Sequence, residues 1–315
     1  MRRLFSFIGI VIVIMFVATG FYLYYLYDTS RELSNHIYDP LPIIHQAYTD
    51  SELMNNPVQQ KIEQLDEQQV MKHQPFTILI MGVDRRSGDK GRSDVLMAAT
   101  VNPNDQSTRM MNIPRDTRTT IIGPDIEDKV NHAYAYGGAA MTIATVEHLL
   151  GIPIDYYIQV DMEGFQQIID TLGGIEVNNT LDFQYEGHKF PLGPLALEGN
   201  EALAYVRMRY DDPQGDLGRN ERQKLVIQAV VDQLQQIQSV FKLNKIAKAI
   251  EKNVKTNLTF DEWKKVGVDY REALNHVETE MLKGHGQMIE GIYYYIVTDE
   301  EKLRITERLR LHLDG

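Results

Sequence analysis

A long apolar stretch begins close to the N-terminus. Residues Leu4–Tyr27 include no charged side chain, and they follow Arg2 and Arg3. The apolar core of a bilayer is about 30 Å thick and requires about 20 helical residues, so this stretch predicts one transmembrane helix. The basic start predicts a single pass through the cell membrane, with a cytoplasmic N-terminus and the rest of the chain extracellular. A cleaved signal peptide is the alternative, but its apolar core is usually shorter and precedes small residues that do not follow here.

Polar and acidic residues dominate the next segment, 28–74, and its few apolar positions are too sparse to form a core. We interpret it as a partly helical extracellular stalk. From residue 75 onward, short apolar runs alternate with longer stretches of helical spacing. The pattern therefore predicts three parts. Residues 1–27 form the cytoplasmic end and the membrane anchor, residues 28–74 form the stalk, and residues 75–315 form one compact domain, which we interpret as the catalytic domain.

The apolar runs of this domain predict buried strands. They cover Phe76–Asp84, Asp94–Pro103, Thr108–Thr117, Ile154–Val160, Gly174–Asn178 and Ile292–Val297. Residues 102–105, Asn-Pro-Asn-Asp, predict a turn, so the second and third runs are expected to form a hairpin. Helical spacing covers residues 138–150, 162–174, 217–237, 244–277 and 299–313, and another helix begins near residue 198. Strands that alternate with helices predict an α/β, three-layer α-β-α fold around a central mixed sheet.

Charge and composition restrict the possible functions. The formal net charge of −12 argues against a general nucleic-acid-binding protein. The sequence contains no cysteine, which excludes a thiol nucleophile, a disulfide and a cysteine-ligated metal. It also lacks G-x-x-x-x-G-K-[ST], H-E-x-x-H, G-x-S-x-G and the kinase motifs, so the enzyme classes that depend on them are not indicated.

Acidic residues border the first two predicted strands. Asp84 closes the first run and Asp94 opens the second, and the loop between them is rich in glycine and arginine, including Arg85 and Arg92. In open α/β sheets, ligands collect where strands end, so we expect both carboxylates at one edge. Two carboxylates suit Mg²⁺, which completes its coordination with water and substrate phosphate. The alternative is a solvated loop with surface ion pairs.

Arginines also follow the third run, in the segment NIPRDTRT. A guanidinium group stays charged and binds two phosphate oxygens at once, which makes Arg115 and Arg118 candidates for a phosphate site. A surface pair between Arg115 and Asp116 is the alternative. In the segment KVNHAYAYGG, His132 is an acid–base candidate at a helix start, although a lone histidine is more often structural.

A further concentration of arginines lies in the segment YVRMRYDDPQGDLGRNERQ. Arg207 and Arg209 would share one face of an extended backbone. The helical spacing of Arg219, Arg222 and Gln223 places them on one face at the start of the long predicted helix. A positive charge in the first turn of a helix is unfavourable because it opposes the helix dipole. The presence of arginines at this position is explained if this face of the helix binds an anion. A solvated helix face is the alternative.

Taken together, these segments resemble the LytR-CpsA-Psr family, whose members are membrane-anchored enzymes that join wall glycopolymers to peptidoglycan in Gram-positive bacteria. The resemblance runs from about Ile78 to Gln223, and it is weak in the stalk and after about residue 240. The stretches that carry it are ILIMGVDRR, GRSDVLM, MNIPRDT, KVNHAYAYGG, DYYIQVDMEGF, IDTLGGIEV, LEGNEALAYVRMRY and GDLGRNERQ.

The resemblance implies roles for the candidate residues. Asp84 and Asp94 would hold Mg²⁺, and these two with Arg115 would be the catalytic residues. Residues of the same segments would bind the substrate pyrophosphate; we include Arg85, Arg92, Arg118, Arg207, Arg209, Arg219, Arg222 and Gln223. An apolar tunnel between the sheet and the helices would hold the lipid tail.

The implied reaction is a phosphotransfer. A glycopolymer such as teichoic acid would move from undecaprenyl pyrophosphate to the C6 hydroxyl of muramic acid in peptidoglycan, and undecaprenyl phosphate would leave. Such a transfer depends on positioning and charge neutralisation, and Asp84 or Asp94 is a candidate general base. The alternatives are a polyprenyl-pyrophosphate-binding scaffold, a pyrophosphatase and, disfavoured by the acidic charge, a nucleic-acid-binding regulator.

Overall fold

The central element of the fold is a six-stranded sheet. The structure, a computed structural model, describes residues 25–41, 74–84, 91–209, 211–235 and 240–315. In spatial order the strands are Val254–Thr256 (β11), Tyr156–Asp161 (β6), Phe76–Asp84 (β1), Arg92–Asn102 (β2), Ser107–Asn112 (β3) and Val277–Met281 (β12). β1 is antiparallel to β2 and parallel to β6, and β12 is parallel to β3. The predicted α/β fold with a mixed central sheet is therefore confirmed.

Smaller strand pairs and helices surround the sheet. The pairs are Arg118–Ile121 (β4) with Ile126–Lys129 (β5), Ile175–Asn179 (β7) with Gly193–Leu197 (β10), Phe183–Tyr185 (β8) with His188–Phe190 (β9), and His285–Ile289 (β13) with Ile292–Ile296 (β14). The helices are residues 25–37 (α1), Ala133–Leu150 (α2), Met162–Leu172 (α3), Gly199–Arg207 (α4), Asp216–Gln235 (α5), Val240–Asn253 (α6), Phe260–Asp269 (α7), Arg271–Asn275 (α8) and Asp299–Asp314 (α9). A 3₁₀ turn, Val130–His132, precedes α2.

Helices pack on both faces of the sheet. Alternate side chains of β1, Leu79, Met81 and Val83, face α2 and α9 on one side. On the other side Phe76 packs against Tyr270, with ring centroids 5.1 Å apart. Complete burial of such a side chain stabilises the fold by about 1.5–3 kcal/mol. Because side chains of β1 alternate between the two faces of the sheet, β1 holds helices on both faces.

The hairpin predicted for the second and third apolar runs is confirmed. β2 and β3 pair antiparallel up to Asn102 and Ser107. The Asn102 side-chain oxygen accepts hydrogen bonds from the backbone N–H of Asn104 at 2.8 Å and of Asp105 at 3.2 Å, which closes the turn. β3 ends at Asn112, earlier than predicted, because Pro114 has no N–H to donate to the sheet.

Other predicted elements differ in their bounds. The helix expected from residue 138 begins at Ala133 and is interrupted at Gly137 and Gly138, whose φ is 64°. The helical region expected over 244–277 contains α6, α7 and α8, but also the short edge strand β11. The last apolar run does form a strand, β14, which pairs with β13 in a hairpin outside the central sheet.

The described part of the predicted stalk lies against the domain. Ile37 at the end of α1 is buried, and the Asp39 N–H donates to the Thr256 carbonyl at 2.7 Å. The Tyr157 hydroxyl donates to the Asp39 carbonyl at 2.8 Å. Residues 42–73 of the stalk and residues 1–24, which include most of the apolar N-terminal stretch, are outside the described part of the chain. Within the described residues, no helix is both long and apolar enough to cross a bilayer.

We expect His312 in α9 to make the stability of the domain depend on pH. The ring is buried between Thr100 Oγ1 (2.7 Å) and Ser107 Oγ (2.9 Å), and burial lowers the pKa of His312 below its ordinary value of 6.5. The unfolded chain therefore binds a proton more readily, and the free energy of unfolding falls as the pH drops below about 6.5. Urea unfolding between pH 7.5 and pH 5 should show a weaker pH dependence in His312→Gln than in wild type. The exposed His285→Gln is the control, and equal slopes in all three proteins would contradict this role of His312.

Candidate functional site

A β-bulge lies at the point where β1 and β2 carry their acidic residues. Gly82 pairs with Val95, but the next pair is Val83 with Ser93, so Asp94 is an additional residue on β2. A bulge interrupts the alternation of side chains and redirects the residue within it. The bulge therefore places Asp94 differently from a residue of regular β-structure.

The two predicted metal-binding carboxylates have basic partners. Asp94 lies 3.2 Å from Arg115 Nη1 and accepts a hydrogen bond of 3.4 Å from the Asn131 amide. Asp84 lies 3.8 Å from Arg207 Nη2. Both carboxylates remain partly accessible, with 27% of the Asp94 side chain and 19% of the Asp84 side chain exposed.

A third carboxylate, Asp116, lies close to three cations. Lys129 Nζ lies 2.8 Å from it, Arg209 Nη1 3.6 Å and Arg115 Nε 4.0 Å. We call the group of Asp94, Arg115, Asp116, Lys129 and Arg209 the cationic cluster, because three positive side chains share two carboxylates. The remaining positive charge favours an anionic ligand.

Arg118 extends the positive surface beside the cationic cluster. It is the direct neighbour of Lys129 across β4 and β5, and it pairs with Glu127 at 3.0 Å. The Arg118 guanidinium lies 5.9 Å from the centre of the Tyr294 ring, and Lys129 Nζ lies 6.0 Å from it. The aromatic face thus stabilises two neighbouring cations.

Backbone hydrogen bonds fix the turn that carries Arg115 and Asp116. The Thr117 hydroxyl and N–H both donate to the Pro114 carbonyl, at 2.6 and 2.9 Å. The Asn131 N–H donates to the Arg115 carbonyl at 3.3 Å, and the Tyr295 N–H donates to the Asp116 carbonyl at 2.8 Å. The 3₁₀ turn and the β13–β14 hairpin therefore hold this turn from two sides.

Arg207 and Arg209 lie on either side of a buried methionine. α4 ends at Arg207, and Met208 has extended dihedral angles (φ −57°, ψ 132°) with its side chain fully buried. Side chains alternate along an extended backbone, so Arg207 and Arg209 point to the side opposite to Met208. Both guanidinium groups therefore reach the site, where Arg207 contacts Asp84 and Arg209 contacts Asp116. This is the arrangement that the alternating sequence predicts.

Arg222 has internal partners instead of a free guanidinium group. Only 4% of its side chain is exposed, and it pairs with the equally buried Asp212. It also donates to the carbonyl of Tyr205, from Nε at 3.0 Å, and to that of Met208. These contacts tie α5 to the segment that carries Arg207 and Arg209, so Arg222 is better explained as a structural residue than as a phosphate ligand.

An apolar cavity of about 120 Å³ lies between the sheet and the helices α3, α4 and α5. Its lining residues are Ile80, Met81, Gly82, Val95, Met97, Val160, Asp161, Met162, Phe165, Val206, Gln223, Val226 and Ile227. Gln223 contributes a buried Oε1 that has no hydrogen-bond partner among the described residues. Val206 and Gly82 connect the cavity to the polar site, since Arg207 follows the first and Asp84 lies two residues after the second.

The remaining candidate residues differ in how deeply they are buried. Arg219, one turn before Gln223, is buried, whereas Arg92 is exposed and directly opposite Asp84 in the ladder. Arg85 is outside the described residues. Lys129 and Asn131 contact Asp116 and Asp94, and although both belong to the segment KVNHAYAYGG, the sequence pattern does not predict these contacts.

The fold and the site define an α/β protein in which cations from separate segments meet beside an apolar cavity. Residues 42–311 match the LytR_cpsA_psr family, and the chain belongs to this family. The family resemblance predicted from the sequence is thus confirmed.

Named relatives extend over nearly the whole chain. The chain is 43% identical over 304 residues to the polyisoprenyl-teichoic acid--peptidoglycan teichoic acid transferase TagU of Bacillus subtilis (strain 168), covering 96% of this chain and 94% of that protein. The crystal structure of B. subtilis TagU is 45% identical with a TM-score of 0.63, covering 77% of this chain and 98% of the other. A structure of TagT bound to LIIa-WTA is 30% identical with a TM-score of 0.65, covering 77% of this chain and 92% of the other.

Removal of the Arg222 guanidinium should destabilise the domain. Arg222→Ala leaves Asp212 buried without its cation, which should lower the free energy of unfolding by about 3–5 kcal/mol. Arg118→Ala, which breaks an exposed pair, should change it by less than about 1 kcal/mol. Chemical denaturation measures both. The double variant Asp212→Leu/Arg222→Met should be closer to wild type than Arg222→Ala, and an effect of Arg222→Ala as small as that of Arg118→Ala would refute the structural role.

Proposed function

We propose that the protein is a phosphotransferase that moves a teichoic-acid-like glycopolymer from a polyisoprenyl pyrophosphate to peptidoglycan. One observation carries the proposal: the cationic cluster and the apolar cavity adjoin each other, as a ligand with a doubly charged head and a hydrocarbon tail requires. The name of the Bacillus subtilis TagU relative supports the same reaction, and so does the TagT structure bound to LIIa-WTA.

The pyrophosphate would bind at the cationic cluster. Arg115 and Arg209 are already paired with carboxylates, so their positions are held before the substrate arrives. Guanidinium groups bind phosphate oxygens in pairs, and Arg207 and Arg118 extend the positive surface on either side. Preorganised charges of this kind stabilise a charged transition state without reorganisation during the reaction.

The lipid would occupy the apolar cavity, with its first carbons near Gln223 and Val206. The carrier that we propose is undecaprenyl pyrophosphate, which resides in the membrane. We therefore also propose that Leu4–Tyr27 anchors the chain by a single transmembrane pass, with the N-terminus in the cytoplasm and the domain on the extracellular side.

The carboxylates of the site fit a Mg²⁺ ion that the protein and the substrate would coordinate together. Asp84 and Asp94 lie at the ends of neighbouring strands and are partly exposed. The described residues contain no group of three or more acidic or histidine side chains that could hold a metal without the substrate. Magnesium often binds through one or two carboxylates plus substrate phosphates, and when bound it would neutralise charge on the pyrophosphate.

In the proposed reaction, the C6 hydroxyl of muramic acid attacks the phosphorus next to the glycopolymer. Undecaprenyl phosphate then leaves with the bridging oxygen. Arg115 and Arg209 would stabilise the negative charge on the leaving phosphate, while Arg207 and the cavity keep the lipid in line with the attack. The protein contributes position and charge, and it forms no covalent bond to the substrate.

A transfer assay tests the function and the role of Arg115 together. The full chain is incubated with a lipid-linked teichoic acid precursor and uncross-linked peptidoglycan, with and without a chelator. We expect a polymer–peptidoglycan adduct that depends on Mg²⁺, and more than about a tenfold loss of turnover in Arg115→Ala, which lacks a charge-assisted phosphate contact. Arg271→Ala, an exposed arginine on α8, is the control and should retain wild-type turnover.

Other products would contradict the proposal in distinguishable ways. Release of undecaprenyl phosphate without an adduct would indicate a pyrophosphatase. Binding of the precursor with no product would indicate a scaffold. Wild-type turnover in Arg115→Ala would remove the cationic cluster from the mechanism.

The cavity can be tested by filling it. Ile227→Trp adds a large ring to a cavity of about 120 Å³ and should exclude a long hydrocarbon tail. We expect a rise of at least about tenfold in KM for a long-chain precursor and a much smaller change for a short-chain analogue, since only the former needs the whole cavity. The control is Val268→Trp at a position that is 77% exposed. An equal change in KM for the long-chain and short-chain precursors would show that the cavity does not bind the lipid tail.

A further inference from the structure

The helix α1 packs against the start of α7. Tyr27, the last residue of the apolar N-terminal stretch, lies in the first turn of α1. Its ring meets the Phe260 ring edge to face, with centroids 5.3 Å apart. Lys264 Nζ lies 5.9 Å from the centre of the Tyr27 ring and 5.0 Å from that of the Phe260 ring. The end of the apolar stretch and the first turns of α7 therefore lie at the same place on the domain surface.

α1 also contacts the domain at its other end. Ser34 and Ile37 are buried, and His36 Nδ1 lies 3.5 Å from Glu251 of α6. At a rise of 1.5 Å per residue, about 15 Å of helix separate Tyr27 from Ile37. Because α1 is held at both ends, the position of Tyr27 relative to the domain is fixed.

α7 is attached to the part of the sheet that forms the apolar cavity. The Tyr156 hydroxyl of β6 donates to Glu262 of α7 at 3.1 Å. Ile78 of β1 packs against the apolar side chains of α7 and α8, and the next alternate residues of β1, Ile80 and Gly82, line the cavity. Side chains two residues apart on a strand share one face. The cavity and α7 are therefore on the same face of the sheet.

The residue types at this contact are those that occupy a membrane interface. Tyr25 and Tyr27 are 39% and 46% exposed. Tyrosine is enriched in the headgroup layer, and a lysine packs its apolar stem while the ammonium group reaches polar groups. The first two turns of α1 and α7 carry three cations and four anions: Arg31, Lys264, Lys265, Asp28, Glu32, Asp261 and Glu262. The charges nearly balance, so this surface fits a bilayer whether or not its lipids are anionic.

We propose that the start of α7 is a membrane-contact surface that lies in the lipid headgroup layer beside Tyr27; this inference rests on the anchor included in the proposed function. With the apolar stretch across the hydrocarbon core, Tyr27 lies at the outer boundary of the core, within a headgroup layer of about 5–8 Å. Phe260 and Lys264 contact Tyr27 and lie in the same layer. α1 thus holds the domain on the membrane instead of lifting it away, and the lipid tail reaches the cavity along the face of the sheet that α7 covers.

The single tryptophan of the chain, Trp263, is a probe of this surface because it lies one turn after Phe260. The full chain is reconstituted in phosphatidylcholine vesicles whose lipids carry bromine, a short-range quencher, near the top of their acyl chains. We expect at least about a twofold loss of Trp263 emission, because the headgroup layer is only about 5–8 Å thick. Bromine near the ends of the acyl chains should quench less, and added phosphatidylglycerol should change little.

A tryptophan on the opposite side of the domain is the matched control. Leu311 is 72% exposed on α9, which covers the other face of the sheet. Trp263→Phe/Leu311→Trp should keep its emission in the brominated vesicles. Tyr27→Ala/Phe260→Ala should about halve the quenching of Trp263, because it removes the ring contact between α1 and α7. Tyr38→Ala, exposed at the other end of α1, should leave the quenching unchanged.

Three outcomes overturn this inference alone. They are full Trp263 emission in a chain that remains bound to the vesicles, equal quenching in Trp263→Phe/Leu311→Trp, and quenching that requires phosphatidylglycerol. Loss of the full chain from the vesicles in an alkaline wash would instead overturn the membrane anchor of the proposed function.

Discussion

Repulsion between cations is the constraint on which the site depends. Two like charges roughly 4 Å apart repel by about 4 kcal/mol near a protein surface. Asp116 offsets this repulsion because Lys129, Arg209 and Arg115 all lie within 4.0 Å of its carboxylate. The two carboxylates of the cationic cluster are fewer than its cations, so the site is held together and still attracts an anion. A turn fixed by backbone hydrogen bonds keeps Asp116 in this position.

The rest of the fold places the cations around this centre. The buried Met208 separates Arg207 from Arg209, and the internal contacts of Arg222 hold that segment against α5. α5 also lines the cavity through Gln223, Val226 and Ile227. The same helix thus supports the arginines and forms one wall of the apolar cavity, which explains why polar and apolar parts of the site adjoin. One helix, α5, therefore connects the segment that carries the arginines with the wall of the apolar cavity.

Many of the strands and helices are predictable from the sequence, but the contacts between distant side chains are not. Apolar runs and turn residues predict β1, β2, β3 and their hairpin, because burial and turn chemistry are local. The bulge at Asp94 and the short strand β11 depend on tertiary pairing and have no periodic signal. Arg219, Arg222 and Gln223 share helical spacing, but the pairing of Arg222 with the buried Asp212 is a contact that spacing alone does not reveal. Lys129 was missed because a single lysine at a strand end is indistinguishable from a surface charge.

We propose that the cationic cluster and the apolar cavity bind one ligand. The most direct measurement is a crystal structure of the full chain with a polyprenyl pyrophosphate. The account predicts phosphate oxygens within hydrogen-bonding distance of Arg115 and Arg209, with the hydrocarbon chain between the sheet and α5. A pyrophosphate bound away from these arginines, or a chain that lies outside the cavity while the head is bound, would contradict it.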